Sequence, residues 1–133
     1  MRLMTLTYII ILLGMLAGTG EVAAQPYLLP KINEFMSSND TVLADEDGDY
    51  PDWMEIYNPH DQDIDLTGYH LTDDPEEPLK WVFPSVTLPA KGFLVVFASD
   101  KDRRSGPNLH TNFQIKSGGE FLILYDPVGT VCD

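Results

Sequence analysis

The densest group of side chains that could do chemistry is an acidic run from Asp45 to Asp52. Three of its aspartates alternate along the chain, as they do in loops that surround calcium with carboxylate oxygens. The run is not an EF-hand, because Tyr50 stands where that loop needs glycine and Ile56 where it needs glutamate. It predicts a looser calcium site, with a solvated loop held by local hydrogen bonds as the alternative. The predicted ligands are Asp45, Asp47, Asp49 and Asp52, with Asp73 and Asp74 as another way to complete the site.

Histidine and serine form no catalytic pattern in this chain. The histidines are His60, His70 and His110, and none lies two or four residues from another, as metal-binding pairs commonly do. Neither a GxSxG nor an SxxK sequence surrounds any serine. We therefore expect a chain that performs no catalysis of its own and has no required cofactor.

Aromatic side chains offer a different kind of site. Trp53, Glu55 and Tyr57 alternate with Met54 and Ile56, which is typical of a strand with two unlike faces. If the two aliphatic residues face the core, the other three form an outer face that could stack on a sugar ring or dock a partner. The alternative is that a neighbouring loop covers this face, because aromatic residues on a surface are common without a ligand.

The chain has one cluster of basic residues, which follows a predicted central strand. It comprises Lys101, Arg103 and Arg104. We interpret it as a solvated loop tip, with binding of an anionic ligand as the less favoured alternative.

The elements that must position these residues are short strands. Runs rich in β-branched and aromatic residues recur between proline and glycine, which is typical of a sandwich or barrel. We predict strands at 31–36, 53–57, 69–72, 80–84, 86–88, 93–98, 112–115 and 121–125. The run Phe93–Ala98 is apolar at every position and is therefore placed at the centre of the fold.

The first 24 residues read as a secretory signal peptide. Arg2 is followed by the apolar stretch Tyr8–Leu16, and Ala23-Ala24 offers small residues for cleavage. The stretch is shorter than the ~20 residues of a membrane span. We expect a signal peptide at 1–24, a linker at 25–30 and one domain at 31–133, exported to the cell surface, the periplasm or the medium without membrane insertion after cleavage.

The net charge limits the classes of partner that this chain is expected to bind. The formal charge is −13, which argues against partners such as nucleic acid or an anionic bilayer, because these require a basic protein surface.

Cys132 is the sole cysteine, so no disulfide can form within the chain. It is interpreted as a small apolar strand residue, or as one half of a disulfide with a cysteine further along. Residues 130–133 read as a strand that has just begun, and we expect the domain to lack its last strand and to be a fragment of a larger protein.

Eight segments in order resemble the bacterial branch of the lamin tail domain family. They are 32–35, 44–50, 52–58, 65–73, 81–84, 88–92, 98–104 and 109–113. The resemblance implies an all-β, immunoglobulin-like β-sandwich without catalytic residues. It also implies an exported protein in which further domains follow, one recurrent neighbour being a kinase-like domain similar to spore coat protein H.

Three functions follow as hypotheses. The favoured one is an extracytoplasmic binding or scaffolding module that contacts a surface protein, a polysaccharide or a neighbouring domain. The second is an accessory domain of an enzyme whose catalytic part lies downstream. The third is a structural spacer stabilised by calcium.

Overall fold

A computed structural model describes residues 27–119 and 121–133. The signal peptide predicted for residues 1–24 lies outside this part of the chain. The described residues form nine β-strands: β1 Lys31–Met36, β2 Asp52–Tyr57, β3 Ile64–Asp65, β4 His70–Thr72, β5 Trp81–Val82, β6 Thr87–Leu88, β7 Phe93–Ala98, β8 Leu109–His110 and β9 Ile123–Tyr125.

The strands form an immunoglobulin-like β-sandwich. One sheet has the order β1-β2-β7-β8, in which β8 runs parallel to β7 and the other pairs are antiparallel. A three-stranded sheet has the order β5-β4-β9, and β3 pairs with β6. Within the described residues there is no helix long and apolar enough to cross a bilayer.

The core lies between the sheets and follows the side-chain alternation of the strands. Met54 and Ile56 on β2 are fully buried, as predicted from their period of two. Trp81 and Phe83 meet edge to face, with ring centroids 4.9 Å apart, and the whole Trp81 side chain is buried. Burying an aromatic side chain of this size is one of the larger stabilising contributions in a small domain.

Strand β7 confirms one prediction and corrects another. It lies between β2 and β8, so its central place in the sheet is confirmed. The prediction that the apolar run is buried on both faces is wrong at its start, because Phe93 is 55% exposed.

The predicted strand at 112–115 is wrong. This segment contributes one isolated bridge, between Ser99 and Gln114, whereas Leu109 and His110 form β8. The side chain of Thr111 donates to the Phe113 carbonyl at 2.7 Å, and that of Asn112 donates to the Lys80 carbonyl at 2.9 Å. The Thr111 bond is local and draws the backbone into a turn where propensity favours an extended strand, and the Asn112 bond anchors that turn to the residue before β5.

Both ends of the described chain pack on the sandwich. Near the start, the Tyr69 hydroxyl donates to the Leu28 carbonyl at 2.7 Å, within the segment predicted as a linker. At the other end, the Cys132 N–H donates to the Leu124 carbonyl at 2.7 Å. Cys132 is a free cysteine, half-buried against the core, and burial raises the pKa of its thiol to about 12. The thiol is therefore unreactive at neutral pH.

Candidate functional site

The acidic loop between β1 and β2 is folded by its own side chains. The Asn39 amide donates to the carbonyls of Leu43 and Pro51 at 2.6 and 2.7 Å. The Asp45 carboxylate accepts the N–H groups of Asp47 and Asp49 at 2.9 and 3.0 Å, which closes a tight turn. Gly48 sits in this turn at a φ of 83°, a conformation that favours glycine.

A lysine ammonium lies at the centre of the alternating aspartates. Nζ of Lys101 is 2.5 Å from Asp45, 2.8 Å from Asp47 and 2.9 Å from Asp49, measured to one oxygen of each carboxylate. Three carboxylates therefore converge on one cation, as the sequence pattern predicts, but the cation belongs to the chain. An ammonium group donates three hydrogen bonds and here has three acceptors.

The electrostatics of this cluster stabilise its charged form. Burial opposes ionisation of Asp45, but the bonds from Lys101 and from the Asp47 and Asp49 N–H groups outweigh it and lower the pKa of its carboxyl. Burial likewise opposes the charge on Lys101, yet its three carboxylate partners raise the pKa of its ammonium. Arg103 and then Lys101 lower the pKa of Asp47.

Glu46 forms a second set of contacts next to the aspartate cluster and shares Arg103 with Asp47. Its carboxylate accepts from Arg103 and from the Asn108 amide, both at 2.8 Å. Nε2 of His110 lies 3.0 and 3.1 Å from its two oxygens. Bonds from Asn108, from the backbone, from His110 and from Arg103 hold the pKa of Glu46 far below its ordinary 4.5.

The hydrogen bonds continue from Glu46 through His110 to Ser99 and form a serine–histidine–glutamate chain of side chains. The Ser99 hydroxyl lies 2.8 Å from Nδ1 of His110. Because Glu46 can only accept, Nε2 carries the proton, and Nδ1 accepts from Ser99 when the ring is neutral. The His110 side chain is fully buried and stacks on Phe97, 5.3 Å between centroids. The His110 ring is therefore enclosed by the Phe97 ring and by hydrogen-bond partners on both nitrogens. This row of hydrogen bonds connects the acidic loop to the four-stranded sheet.

The predicted calcium ligands are brought together only in part. Asp45, Asp47 and Asp49 have ligand atoms within 4.8 Å of one another, and so do Asp45, Glu46 and His110. The two aspartates of the alternative completion are placed differently, since Asp73 pairs with Lys80 at 2.6 Å and Asp74 caps its own turn through the Glu76 N–H.

Asp52 also lies apart from the cluster. Its carboxylate accepts the Asn39 N–H at 3.1 Å, outside both groups of ligand atoms. A calcium ion at the three alternating aspartates would have to displace the Lys101 ammonium, so calcium binding stays a prediction to be tested.

The basic cluster is not a solvated loop tip, and that prediction is wrong for two of its three residues. Lys101 fills the aspartate cluster, and Arg103 pairs with both Glu46 and Asp47 at 2.8 and 2.6 Å. The third residue, Arg104, is the more exposed one and pairs with its near neighbour Asp102 at 3.0 Å. The basic and acidic loops are therefore each other's partners.

The aromatic face is divided between a covered end and an open end. Trp53 is 8% exposed, which removes it from the predicted binding face. It lies opposite Phe97 on β7, at the end of the sheet where the acidic loop joins β2. Tyr57, at the other end, stacks on the exposed Phe93 with centroids 4.7 Å apart and planes at 24°.

Glu55 stands between these ends of the aromatic face. Its neighbour across the β2–β7 pair is Val95, and its carboxylate accepts from the Asn33 amide at 2.8 Å. The surface that stays open thus combines a stacked aromatic pair with a half-buried carboxylate and a valine.

Sequence reasoning missed three contributors to these surfaces. Phe93 was hidden in an apolar run that suggested burial, although its register opposite Tyr57 would have placed it on the outer face. Glu46 was hidden among aspartates, and its partners Arg103, Asn108 and His110 lie 57 to 64 residues further along the chain. His110 carries no sequence signal, because its partners are 11 and 64 residues away.

Comparison with known proteins agrees with the fold. The family model of the lamin tail domain matches residues 26–133. A search of curated proteins finds no match. Lamin tail domains are immunoglobulin-like modules without catalytic function, in keeping with a serine–histidine–glutamate chain whose imidazole is buried. The chain belongs to the lamin tail domain family.

Proposed function

We propose that this chain is an extracytoplasmic binding and scaffolding module that contacts its partner through the outer face of the four-stranded sheet. The contact surface comprises Tyr57 and Phe93, flanked by Glu55 and Val95. Chemistry, where the larger assembly has any, belongs to another domain.

The stacked Tyr57–Phe93 pair carries this proposal. Phe93 is 55% exposed and Tyr57 half-buried, so two parallel rings present one apolar platform. Stacking fixes both rings before a partner arrives, which lowers the conformational entropy lost on binding. Aromatic residues of this kind are enriched where proteins bind partners.

The chemistry of the surface limits the partner. The net charge of −13 disfavours nucleic acid and anionic lipid and favours a neutral or basic surface. A flat aromatic pair beside a carboxylate fits a sugar ring, which offers C–H groups to the rings and hydroxyls to Glu55. It equally fits a basic protein surface. The proposed partners are therefore a polysaccharide or protein at the cell surface, or a neighbouring domain.

Site-specific crosslinking tests the surface. A photoreactive phenylalanine analogue placed at Phe93 should crosslink a partner in intact cells. The same analogue at Val42, which is 67% exposed on the acidic loop, is the matched control. The adduct at position 93 should be lost when Tyr57→Ala removes the second ring. Equal adducts at both positions, or an adduct indifferent to Tyr57, would contradict the proposal.

Export is tested separately from binding. A reporter enzyme that folds only outside the cytoplasm, such as an alkaline phosphatase, should be active when fused after residue 133. Deletion of residues 1–24 should abolish that activity while leaving the fusion protein abundant. Full activity without those residues would refute export by this segment, whatever the crosslinking shows.

A further inference from the structure

The open end of the aromatic face continues into a row that carries two carboxylates. Glu55 lies two residues before Tyr57 on β2 and opposite Val95 on β7. On its other side the β1–β2 register shifts between Ile32 and Glu34, which places Glu34 opposite Glu55. Since side chains that lie opposite each other across a pair of strands share a face, both carboxylates border the stacked rings.

These two carboxylates lack the internal cations that the acidic cluster has. Among the described residues, no nitrogen of a lysine, arginine or histidine side chain lies within 4.0 Å of Glu34 or Glu55. Glu55 accepts one neutral hydrogen bond, from the Asn33 amide at 2.8 Å. Because like charges opposite each other destabilise a pair of strands, a cation supplied by a partner would be favoured at this row.

Lys31 occupies the other border of the face. It lies on β1 opposite Tyr57 and is exposed to solvent. Its charge repels a cation on the β1 side of Tyr57 and so favours the row of Glu34 and Glu55 as the place where a cation binds. The face thus offers apolar rings first and carboxylates next. An arginine side chain has the matching order, with an apolar stem followed by a group of N–H donors.

We propose that the aromatic face binds an arginine side chain carried by a segment of a partner protein. This inference rests on the proposed function and selects a basic protein surface over a polysaccharide. The stem of the arginine packs on Tyr57 and Phe93, and its guanidinium donates to Glu55 and Glu34, whose row lies about 7 Å further along the strands.

Charge and ring chemistry both favour this occupant. A guanidinium group is attracted to the face of an aromatic ring and forms two parallel hydrogen bonds with a carboxylate. The net charge of −13 attracts a basic partner from a distance and repels a second copy of this chain. Since Phe93 is 55% exposed and already stacked on Tyr57, the rings need little rearrangement to receive the arginine stem.

Titration of the purified chain with matched peptides tests this. The probe is a fluorescent peptide with arginine at every second position and serine between, measured by anisotropy. The control peptide has citrulline, which is neutral and of nearly the same shape, in place of each arginine. The arginine peptide should bind at least about tenfold more tightly than the citrulline peptide. A peptide with lysine in place of arginine should bind less tightly than the arginine peptide, because an ammonium group cannot form the two parallel bonds.

Matched variants separate this contact from the general attraction between a cationic peptide and an acidic protein. Glu34→Gln combined with Glu55→Gln should weaken binding of the arginine peptide about tenfold. Glu76→Gln combined with Glu77→Gln removes the same charge from exposed positions between β4 and β5, and should change the affinity by less than about twofold. Lys31→Met should strengthen binding by about twofold, because it removes a repelling charge.

Equal binding of the arginine and citrulline peptides, or an equal response to the two pairs of glutamine substitutions, would overturn the proposal. So would preferential binding of a soluble polysaccharide that Lys31→Met weakens, since sugar hydroxyls would use that ammonium as a donor. The crosslink from position 93 distinguishes this failure from failure of the proposed function. A crosslink that persists in cells with Glu34→Gln and Glu55→Gln would show that the face binds a partner, but not through arginine.

Discussion

The acidic cluster and the aromatic face differ in how completely their groups are satisfied. In the cluster, Lys101 and Arg103 meet the carboxylates of Asp45, Glu46, Asp47 and Asp49. On the aromatic face, Tyr57 and Phe93 stack on each other, with Phe93 exposed and Tyr57 half-buried. The acidic cluster, which has the densest charge, therefore leaves few groups free to contact a partner. The aromatic face, which has few polar atoms, leaves the most surface free.

This difference arises because charge and apolar surface have different needs when a chain folds. A carboxylate that loses its hydration is unfavourable unless a cation or several hydrogen-bond donors contact it. A crowded acidic loop therefore packs against a basic loop of the same chain. An exposed aromatic ring can keep its water until a partner displaces it. The clustering of charged residues in a sequence is therefore as much a signal of internal bracing as of a ligand site.

The largest effect should come from removing the cation of the cluster. Lys101→Met leaves the buried Asp45 carboxylate with backbone donors alone and sets it beside Asp47 and Asp49. We expect the free energy of unfolding at neutral pH to fall by about 2–3 kcal/mol. Chemical denaturation measures this change, and an unaltered dependence on denaturant would show that the fold is kept.

Lys91→Met is the matched control for that substitution. Lys91 pairs with Asp61 at 3.1 Å, but both side chains are well exposed. Surface pairs of this kind contribute about 0–1 kcal/mol. If the two lysine variants lost equal stability, the cluster would be an ordinary surface network and the comparison with the aromatic face would lose its basis.

The next effect is a loss of stability in acid. Asp45, Glu46 and Asp47 have pKa values lowered by folding from 3.8, 4.5 and 3.8. Groups of this kind stabilise the folded state above their unfolded pKa, and that contribution disappears as pH falls through the folded pKa. The melting temperature should therefore be steady above about pH 5 and drop below about pH 4.

The Lys101→Met variant sharpens this pH prediction. It loses the bonds from Lys101 that help to lower the pKa values of Asp45 and Asp47, so its melting temperature should approach that of the original chain as the pH falls. A gap between the two proteins that stayed constant from neutral pH into acid would mean that the charges of the cluster do not stabilise the fold.

The sequence predicts the sandwich better than it predicts the sites. Met54 and Ile56 are buried where alternation places them, because period-two patterns report burial directly. Lys101 and Asp45 are 56 residues apart, and nothing local to either indicates that they meet. Trp53 is buried although its position in the alternation of β2 places it on the outer face. Alternation shows on which face of the sheet a side chain lies, but not what covers that face.

Calcium should have a smaller effect, and one that depends on Lys101. In the original chain the ammonium already holds three carboxylates, so millimolar calcium should raise the melting temperature by less than about 1 °C. In Lys101→Met the vacated carboxylates should bind calcium weakly, and an excess of about tenfold over Kd adds about 1.4 kcal/mol. That corresponds to a rise of several degrees in a domain of this size. Calorimetry with calcium and then with chelator measures both, with magnesium as the control ion.

A strong response of the original chain to calcium would support the prediction of a calcium-stabilised spacer. It would show that the ion displaces Lys101 or binds elsewhere among the carboxylates. Asp47→Ala separates these cases, because it removes one ligand of the cluster and leaves the other acidic residues in place. Loss of the response in that variant would place the ion at the cluster.

The smallest effect on stability should come from the aromatic face. Phe93→Ala removes a ring that is 55% exposed and packs mainly on Tyr57. Only the stacked pair is lost, so the free energy of unfolding should change by about 0.5–1 kcal/mol. The partner crosslink, moved to Val95, should nevertheless disappear. A large loss of stability would mean that the Tyr57–Phe93 pair stabilises the sheet. A small loss of stability together with loss of the crosslink would mean that the pair serves binding and not folding, in contrast to the acidic cluster.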